Sequence, residues 1–239
     1  MRLKKELIRR ADVWICGIAA LFLLLFFISE IHSRSPGMLP ASPWLRIALL
    51  LTVCALFYVG GLFNLHRTGN PSLMRRLYRL FFALYLYLLL TFTLTDKALG
   101  RELAPLDTWS EKRAYYLQYF VNFRPFHSIY QIYILGWIKG YINGYYVWLN
   151  LLGNACAFMP LALFLPLFFE KQRRWYCFLP TVLGTVVAVE ALQFGLMLGS
   201  CDVDDLILNV LGATFVFFIL KIPPVNHLVQ RLFPHTTHS

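Results

Sequence analysis

Charge is scarce in this chain: 14% of its 239 residues are Asp, Glu, Lys or Arg, where a soluble domain carries about a quarter. That scarcity argues against a water-soluble globule. The chain also lacks a cleavable-signal pattern, because its first apolar block is too long and a second one soon follows. Its cysteines (Cys16, Cys54, Cys156, Cys177 and Cys201) stand at no metal-site spacing. An odd, scattered set of this kind excludes a disulfide framework. No period repeats along the sequence, and no stretch is of low complexity. There is no His-containing phosphatase motif, no serine nucleophile elbow and no recognisable phosphotransferase pattern, so the sequence names no reaction outright.

What the sequence does have is apolar length. Hydrophobic residues make up 59% of it and the mean hydropathy is +0.60. The excess falls in blocks long enough to cross a bilayer, each of roughly 17–25 residues. We read six spans, at about 12–31, 45–63, 77–95, 147–169, 178–198 and 203–220. All are expected to be helices, since an open strand leaves its backbone groups unsatisfied in lipid. The expected fold class is therefore an all-α, polytopic transmembrane helix bundle. Trp14, Trp44, Trp148 and Trp175 each fall near the start of a span, as interfacial aromatic belts do.

The net charge of +10 points first to nucleic acid, but its placement points to a membrane. Arg2, Lys4, Lys5, Arg9 and Arg10 precede the first span; Arg67, Arg75, Arg76 and Arg79 flank the first inner turn; Lys171, Arg173 and Arg174 lie between spans four and five. This is the distribution of cytoplasmic loops under the positive-inside rule. No basic soluble module is long enough to read a nucleic-acid groove, so no nucleic-acid partner is expected. Six spans put both termini on one side, and the charges make that side the cytoplasm. The remaining cations fall mostly in the long 96–146 segment, where they count for little and where Asp96, Glu102, Asp107 and Glu111 also lie. Three regions result: a two-span N-terminal extension (1–76), a membrane core (77–220) and a short cytoplasmic tail (221–239).

Pro36, Pro40 and Pro43 break the first outer connection, and Gly69-Asn70-Pro71 the first inner one. The 96–146 segment differs in kind. Trp109, Tyr115, Tyr116, Tyr119, Phe120, Phe123, Phe126, Tyr130, Tyr133, Trp137, Tyr141, Tyr145 and Tyr146 make it too aromatic for a free loop. An interfacial or re-entrant element packed on the bundle is expected.

Polar residues collect in the last three spans. Asn150 and Asn154 are four apart and share a helix face, ahead of a break at Pro160. Glu190 and Gln193 share a face of span five. Span six opens with Asp202, Asp204 and Asp205, and Asp205, Asn209 and Gly212 form one stripe, the glycine suited to close helix approach. At about 1.5 Å per residue, Asn154, Glu190, Gln193 and Asn209 lie at a similar depth in the outer half of the bilayer, with the aspartates at its outer edge. A carboxyl inside a span costs at least ~2.5 kcal/mol unless partnered or hydrated, so Glu190 must face the bundle. The plain alternative is interhelical polar glue for the amides and Glu190, and helix capping for Asp202 and Asp204.

Four pieces in order, Asn122-Phe-Arg-Pro125-Phe126, Asn150-Leu-Leu-Gly153-Asn154 with Phe158-Met-Pro160-Leu-Ala, Glu190-x-x-Gln193, and Asp202-x-Asp204-Asp205-Leu-Ile-Leu-Asn209-x-x-Gly212, resemble the VanZ-like family over roughly residues 78–220. The resemblance implies a bacterial cell-membrane protein, and the family's founding member is linked to low-level resistance to teicoplanin, a lipoglycopeptide that binds peptidoglycan precursors outside the membrane. It attaches no reaction. Two positions depart from the family's pattern. Gly199-Ser200-Cys201 stands where many relatives carry a basic residue, and Ala162 replaces the usual glycine of span four.

Three functional readings follow. In the first, the protein is not an enzyme and recognises an envelope lipid, a peptidoglycan precursor or a glycopeptide antibiotic at the outer leaflet, using the polar cluster Asn154, Glu190, Gln193, Asp202, Asp205 and Asn209 beneath an outer motif of Asn122, Pro125 and Phe126. In the second it is an intramembrane enzyme on a lipid-linked, phosphate-containing substrate. Glu190 would then be the general acid or base, and Asp202 and Asp205 would hold a divalent cation through hard oxygen ligands. A proton-coupled transporter is the third, although no inverted repeat is visible. The first reading, with membrane lipid as partner and no cofactor, is the one the residues favour.

Overall fold

The computed structural model describes residues 10–33, 42–99, 101, 103, 105–141 and 143–233. Arg2, Lys4, Lys5, Arg9, Pro36, Pro40 and Glu102 lie outside the described residues, as do the side chains of Trp137, Tyr145 and Tyr146. The chain is helical almost throughout and divides into two compact units, Met1–Phe92 and Thr93–Ser239.

The first unit holds α1 (Ala11–Ser33), α2 (Pro43–Thr68) and α3 (Ser72–Leu90), the last prolonged by a π turn over Thr91–Thr95. Pro43 opens α2, where a missing N–H costs nothing. Gly69, at φ 67°, closes it, its N–H donating to the Leu65 carbonyl at 2.8 Å; a left-handed residue here favours glycine. Asn70 then accepts the Ser72 N–H at 2.9 Å and starts α3. Phe26, Leu50 and Leu84 form the buried centre, with Phe27 and Tyr87 edge-to-face at 5.3 Å beside it.

Two ion pairs clamp the α1–α2 hairpin. Glu30 accepts Arg46 Nε at 2.5 Å and Nη2 at 2.6 Å, both side chains almost fully buried, and Tyr87 donates to the same carboxylate at 3.2 Å. At the other end Asp12 accepts Asn64 at 2.8 Å and Arg67 at 2.6 Å. Asp12 and Glu30 are about 27 Å apart along α1, and Arg46 and Arg67 about 31 Å apart along α2. Those spans are close to the ~30 Å thickness of a hydrocarbon core, and no Asp, Glu, Lys or Arg lies between the pairs on either helix.

The second unit begins with short pieces: 3-10 turns at Lys97–Leu99 and Leu106–Thr108, α4 (Trp109–Tyr119), β1 (Val121–Asn122), and α5 (His127–Ile129) running into a π-helical stretch, Tyr130–Ile138. Then come α6 (Gly144–Ala157), α7 (Leu161–Phe168), α8 (Trp175–Leu196), β2 (Cys201–Asp202), α9 (Val203–Ile219) and α10 (Pro223–Leu232). Pro160 caps α7 and separates it from α6, so the fourth span, Asn150–Phe168, carries a break. Phe178 of α8 and Phe217 of α9 stack at 4.2 Å.

Among the described residues, five helices are long and apolar enough to cross a membrane: Ala11–Ile31, Pro43–Thr68, Ser72–Thr95, Asn150–Phe168 and Trp175–Leu196. The sixth expected span is different. It is α9, which alone is 17 residues, followed by an 89° bend into α10. The chain is a multi-pass, all-α membrane protein. Trp14, Trp44, Trp148 and Trp175 are all exposed, as membrane-interface side chains are.

Candidate functional site

The acidic opening of α9 organises the 120–130 segment. A parallel bridge sets Val121 opposite Cys201 and Asn122 opposite Asp202, and the Cys201 N–H donates to the Phe120 carbonyl at 2.8 Å. Asp202 is the N-cap of α9: its Oδ1 accepts the Asp204 N–H at 2.9 Å and Asn122 Nδ2 at 3.2 Å. Asn122 also accepts the Arg124 N–H at 3.0 Å and donates to Ser128 Oγ at 3.0 Å, folding the Asn122–Ser128 loop on itself. Asp204 is 1% exposed. Its carboxylate accepts three backbone N–H groups, those of Phe126, Ser128 (2.8 Å) and Ile129 (3.0 Å). Phe126 sits at φ 61°, a conformation uncommon for a bulky residue, and it brings its N–H to Asp204 while its ring remains exposed.

The next residue, Asp205, accepts Asn154 Nδ2 across the α6–α9 contact. Glu190 of α8 faces the same region, and its buried Oε2 has no hydrogen-bond partner among the described residues. The positive charge comes from Arg101, in the segment after α3. Its Nη1 donates to the Leu198 carbonyl at 2.8 Å, while its buried Nε has no partner among the described residues. Burial pulls the guanidinium below its ordinary pKa, and the carboxylates of Asp205 and Glu190 act against that; an arginine remains charged regardless. Gly199 makes the room. Its φ is 72°, and a Cβ there would lie 1.2 Å from Arg101 Nη1. Tyr116 of α4 packs on Phe120 and Phe194, and burial pushes its phenol up to about 12. The Cys201 thiol is also raised, by burial first and then by Glu190, Asp202 and Asp205.

A cavity of about 280 Å³ opens beside these groups. Phe123, Val187, Ala191, Phe194 and Leu206 give it apolar walls, and Glu190, Cys201 and Asp202 also line it. The walls suit the apolar body of an amphiphile, and Glu190 and Asp202 are the acidic side chains beside it. Among the described residues no three His, Cys, Asp or Glu side chains converge to hold a metal ion, and Asp202 Oδ1 is already engaged by two donors.

The residues singled out from the sequence are therefore sorted by the fold. Asn154 and Asp205 are bonded, Glu190 and Asp202 line one cavity, and Asn122 is tied to Asp202. Gln193 is not joined to the carboxylates; its Nε2 donates to the Thr93 carbonyl at 2.9 Å. Asn209 is buried with its Oδ1 unpartnered among the described residues. Pro125 and the Phe126 ring are exposed, so the Asn122–Phe126 motif contributes backbone N–H groups here. Arg101 was not legible, because it is one cation among several in a long loop. The signal for it is indirect: Gly199-Ser200-Cys201 lacks a basic residue, and its glycine leaves space for one from elsewhere.

The VanZ/LLP1 family model matches residues 82–224. That stretch holds every residue of the cluster, from Arg101 to Gly212. No curated protein and no solved structure matches the chain.

Proposed function

This chain belongs to the VanZ-like family, and we propose that it recognises an amphiphile of the bacterial envelope at the outer leaflet of the cell membrane. The amphiphile is a lipid-linked peptidoglycan precursor or a teicoplanin-type lipoglycopeptide, and its capture lowers susceptibility to the drug. The observation that carries this reading is the cavity of about 280 Å³ with apolar walls, lined also by Glu190, whose buried Oε2 has no partner among the described residues. A buried acceptor without a donor costs about 1–3 kcal/mol, and a ligand hydroxyl, amide or ammonium removes that cost. Arg101, whose Nη1 is held by the Leu198 carbonyl, supplies positive charge behind the carboxylates rather than a lining group. Exposed Tyr115, Tyr119, Phe123 and Tyr130 in the covering segment suit a head-group boundary.

Replacing Glu190 by glutamine keeps the shape and removes the charge. For a fluorescent teicoplanin-type lipoglycopeptide, or a lipid-linked precursor, binding to the protein in nanodiscs is expected to weaken about 10- to 100-fold, the value of a hydrogen bond to a charged group. Unchanged binding by a folded Glu190→Gln protein sinks the proposal. Turnover of a lipid-linked phosphate substrate, lost in Glu190→Gln, would instead move the reading to an intramembrane enzyme with Glu190 as acid or base.

The outer-leaflet assignment takes both termini as cytoplasmic, on the basic residues around 67–79 and 171–174 and the positive-inside rule. Reporters fused after Arg174 and after Ser239 should both read as cytoplasmic. An external reading at either point inverts the site to the inner leaflet.

A further inference from the structure

At the far end of α9 from the acidic cluster, roughly 25 Å along the helix, the chain bends by 89° into α10. Pro223 and Pro224 open α10, and its sequence alternates polar Asn226, His227, Gln230 and Arg231 with apolar Val225, Leu228, Val229 and Leu232. Leu228 and Leu232 are left exposed. A short amphipathic helix lying across the end of a membrane span is the geometry of an interfacial element, its apolar residues entering the head-group boundary.

Beneath α10 is a second cavity, of about 230 Å³, between α7, α9 and α10. Leu163, Leu167 and Val229 are among its apolar walls, and its two charged lining residues are both cations, Arg173 and Lys221. Lys221 Nζ lies 4.4 Å over the Phe217 ring, and Arg173 Nε donates to the Pro166 carbonyl at 3.3 Å, so both heads are positioned at the cavity. Lys171, Arg174 and Arg231 add positive charge in the same segments, against one acid, Glu170. The space suits a head group, and the exposed rings of Phe215 and Phe218 on α9 leave an apolar surface for acyl chains.

We propose that the cavity under α10 binds the phosphate head group of an anionic membrane phospholipid, with Lys221 and Arg173 as its cationic partners. This site is separate from the Glu190 cavity, and its fate does not decide the function proposed above. Juxtamembrane cations attract anionic lipid, and basic pockets between helices on that side take lipid head groups.

The test is native mass spectrometry of the full chain, equilibrated with equal phosphatidylglycerol and phosphatidylcholine. The wild type should retain phosphatidylglycerol selectively, and Arg173→Gln with Lys221→Gln should lower that retention about 10- to 30-fold. Lys171→Gln with Arg174→Gln, which removes equal charge from side chains that do not line the cavity, should change it less than about threefold. Gln230→Glu, at an exposed rim position, should lower retention without removing any cation, and covers the case in which the double variant does not fold. Equal loss in both double variants overturns the site in favour of diffuse charge attraction. So does wild-type retention in Gln230→Glu, or displacement of the lipid by millimolar inorganic phosphate, which would make the ligand a free anion.

Discussion

Asp204→Ala is expected to destabilise the folded protein by about 4 kcal/mol and to release the 126–129 loop. The carboxylate is almost completely buried and accepts three backbone N–H groups. Each donor left without a partner costs about 1–3 kcal/mol where water cannot replace it. Phe126 adds to the loss, because its positive φ is tolerated only while the surroundings hold it. Asparagine does little better, since its amide sets two donors against donors. The contrast is Asp202→Asn: an asparagine carbonyl caps a helix as well as a carboxylate does, so less than about 1 kcal/mol should be lost. Thermal unfolding in detergent should separate the two, with a fall of roughly 8–16 °C for Asp204→Ala, and hydrogen exchange at Phe126, Ser128 and Ile129 should quicken in that variant alone. Equal midpoints for the Asp204→Ala and Asp202→Asn proteins would remove Asp204 from the centre of the loop's architecture.

Gly212→Ala is expected to part α6 from α9 and to abolish ligand binding even where protein is recovered. A Cβ at this position would lie 1.8 Å from the Ala155 carbonyl oxygen and 2.8 Å from its carbonyl carbon. The obstacle is backbone, so no side chain can turn aside and the helices must separate by more than about 1 Å to restore ordinary contact. Overpacking commonly costs about 1–3 kcal/mol, and an unyielding carbonyl puts this case at or above the top of that range. Separation also acts on the site, because Asn154, the residue before Ala155, donates to Asp205 across the same contact. Gly153→Ala is the control. Nothing lies within 4 Å of a Cβ there, and alanine is favoured over glycine in a helix by up to about 1 kcal/mol. A Gly212→Ala protein as stable as Gly153→Ala would show that the close approach is not needed.

These two positions illustrate how far the sequence can be read. The i, i+4 spacing of Asp205 and Asn209, with Gly212 three further on, marks a polar and close-packed helix face by spacing alone. Its partner, the Ala155 carbonyl, is backbone and leaves no trace in composition. Asp202 as a helix cap was among the sequence's own alternatives, and the fold realises it. The role of Asp204 could not be read, because its acceptor geometry depends on a loop 75 residues or more away in the chain folding back upon it. Gln193 shares a face with Glu190 by spacing, yet the fold directs it to the Thr93 carbonyl.

The charged residues of the first unit follow the same division. Asp12, Glu30, Arg46 and Arg67 fall near span ends in the sequence, and only packing of α1 on α2 makes them two ion pairs. Arg101 is the clearest case: its charge was visible, and its destination over Gly199 was not.

By itself the sequence determined that this is a multi-pass helical membrane protein of the VanZ-like family, because apolar length, charge placement and ordered motifs are local quantities that do not depend on which helices touch. The tertiary structure decided which polar groups meet: Arg101 with the Leu198 carbonyl over Gly199, Asn154 with Asp205, Asp204 with the 126–129 backbone, and a cavity walled by α8 and the start of α9. The physical reason is range. Periodicity reports the face a residue takes on its own helix, whereas a site depends on which faces come together, and that is set by close approaches such as Gly212 on Ala155 and by loops that return across the chain.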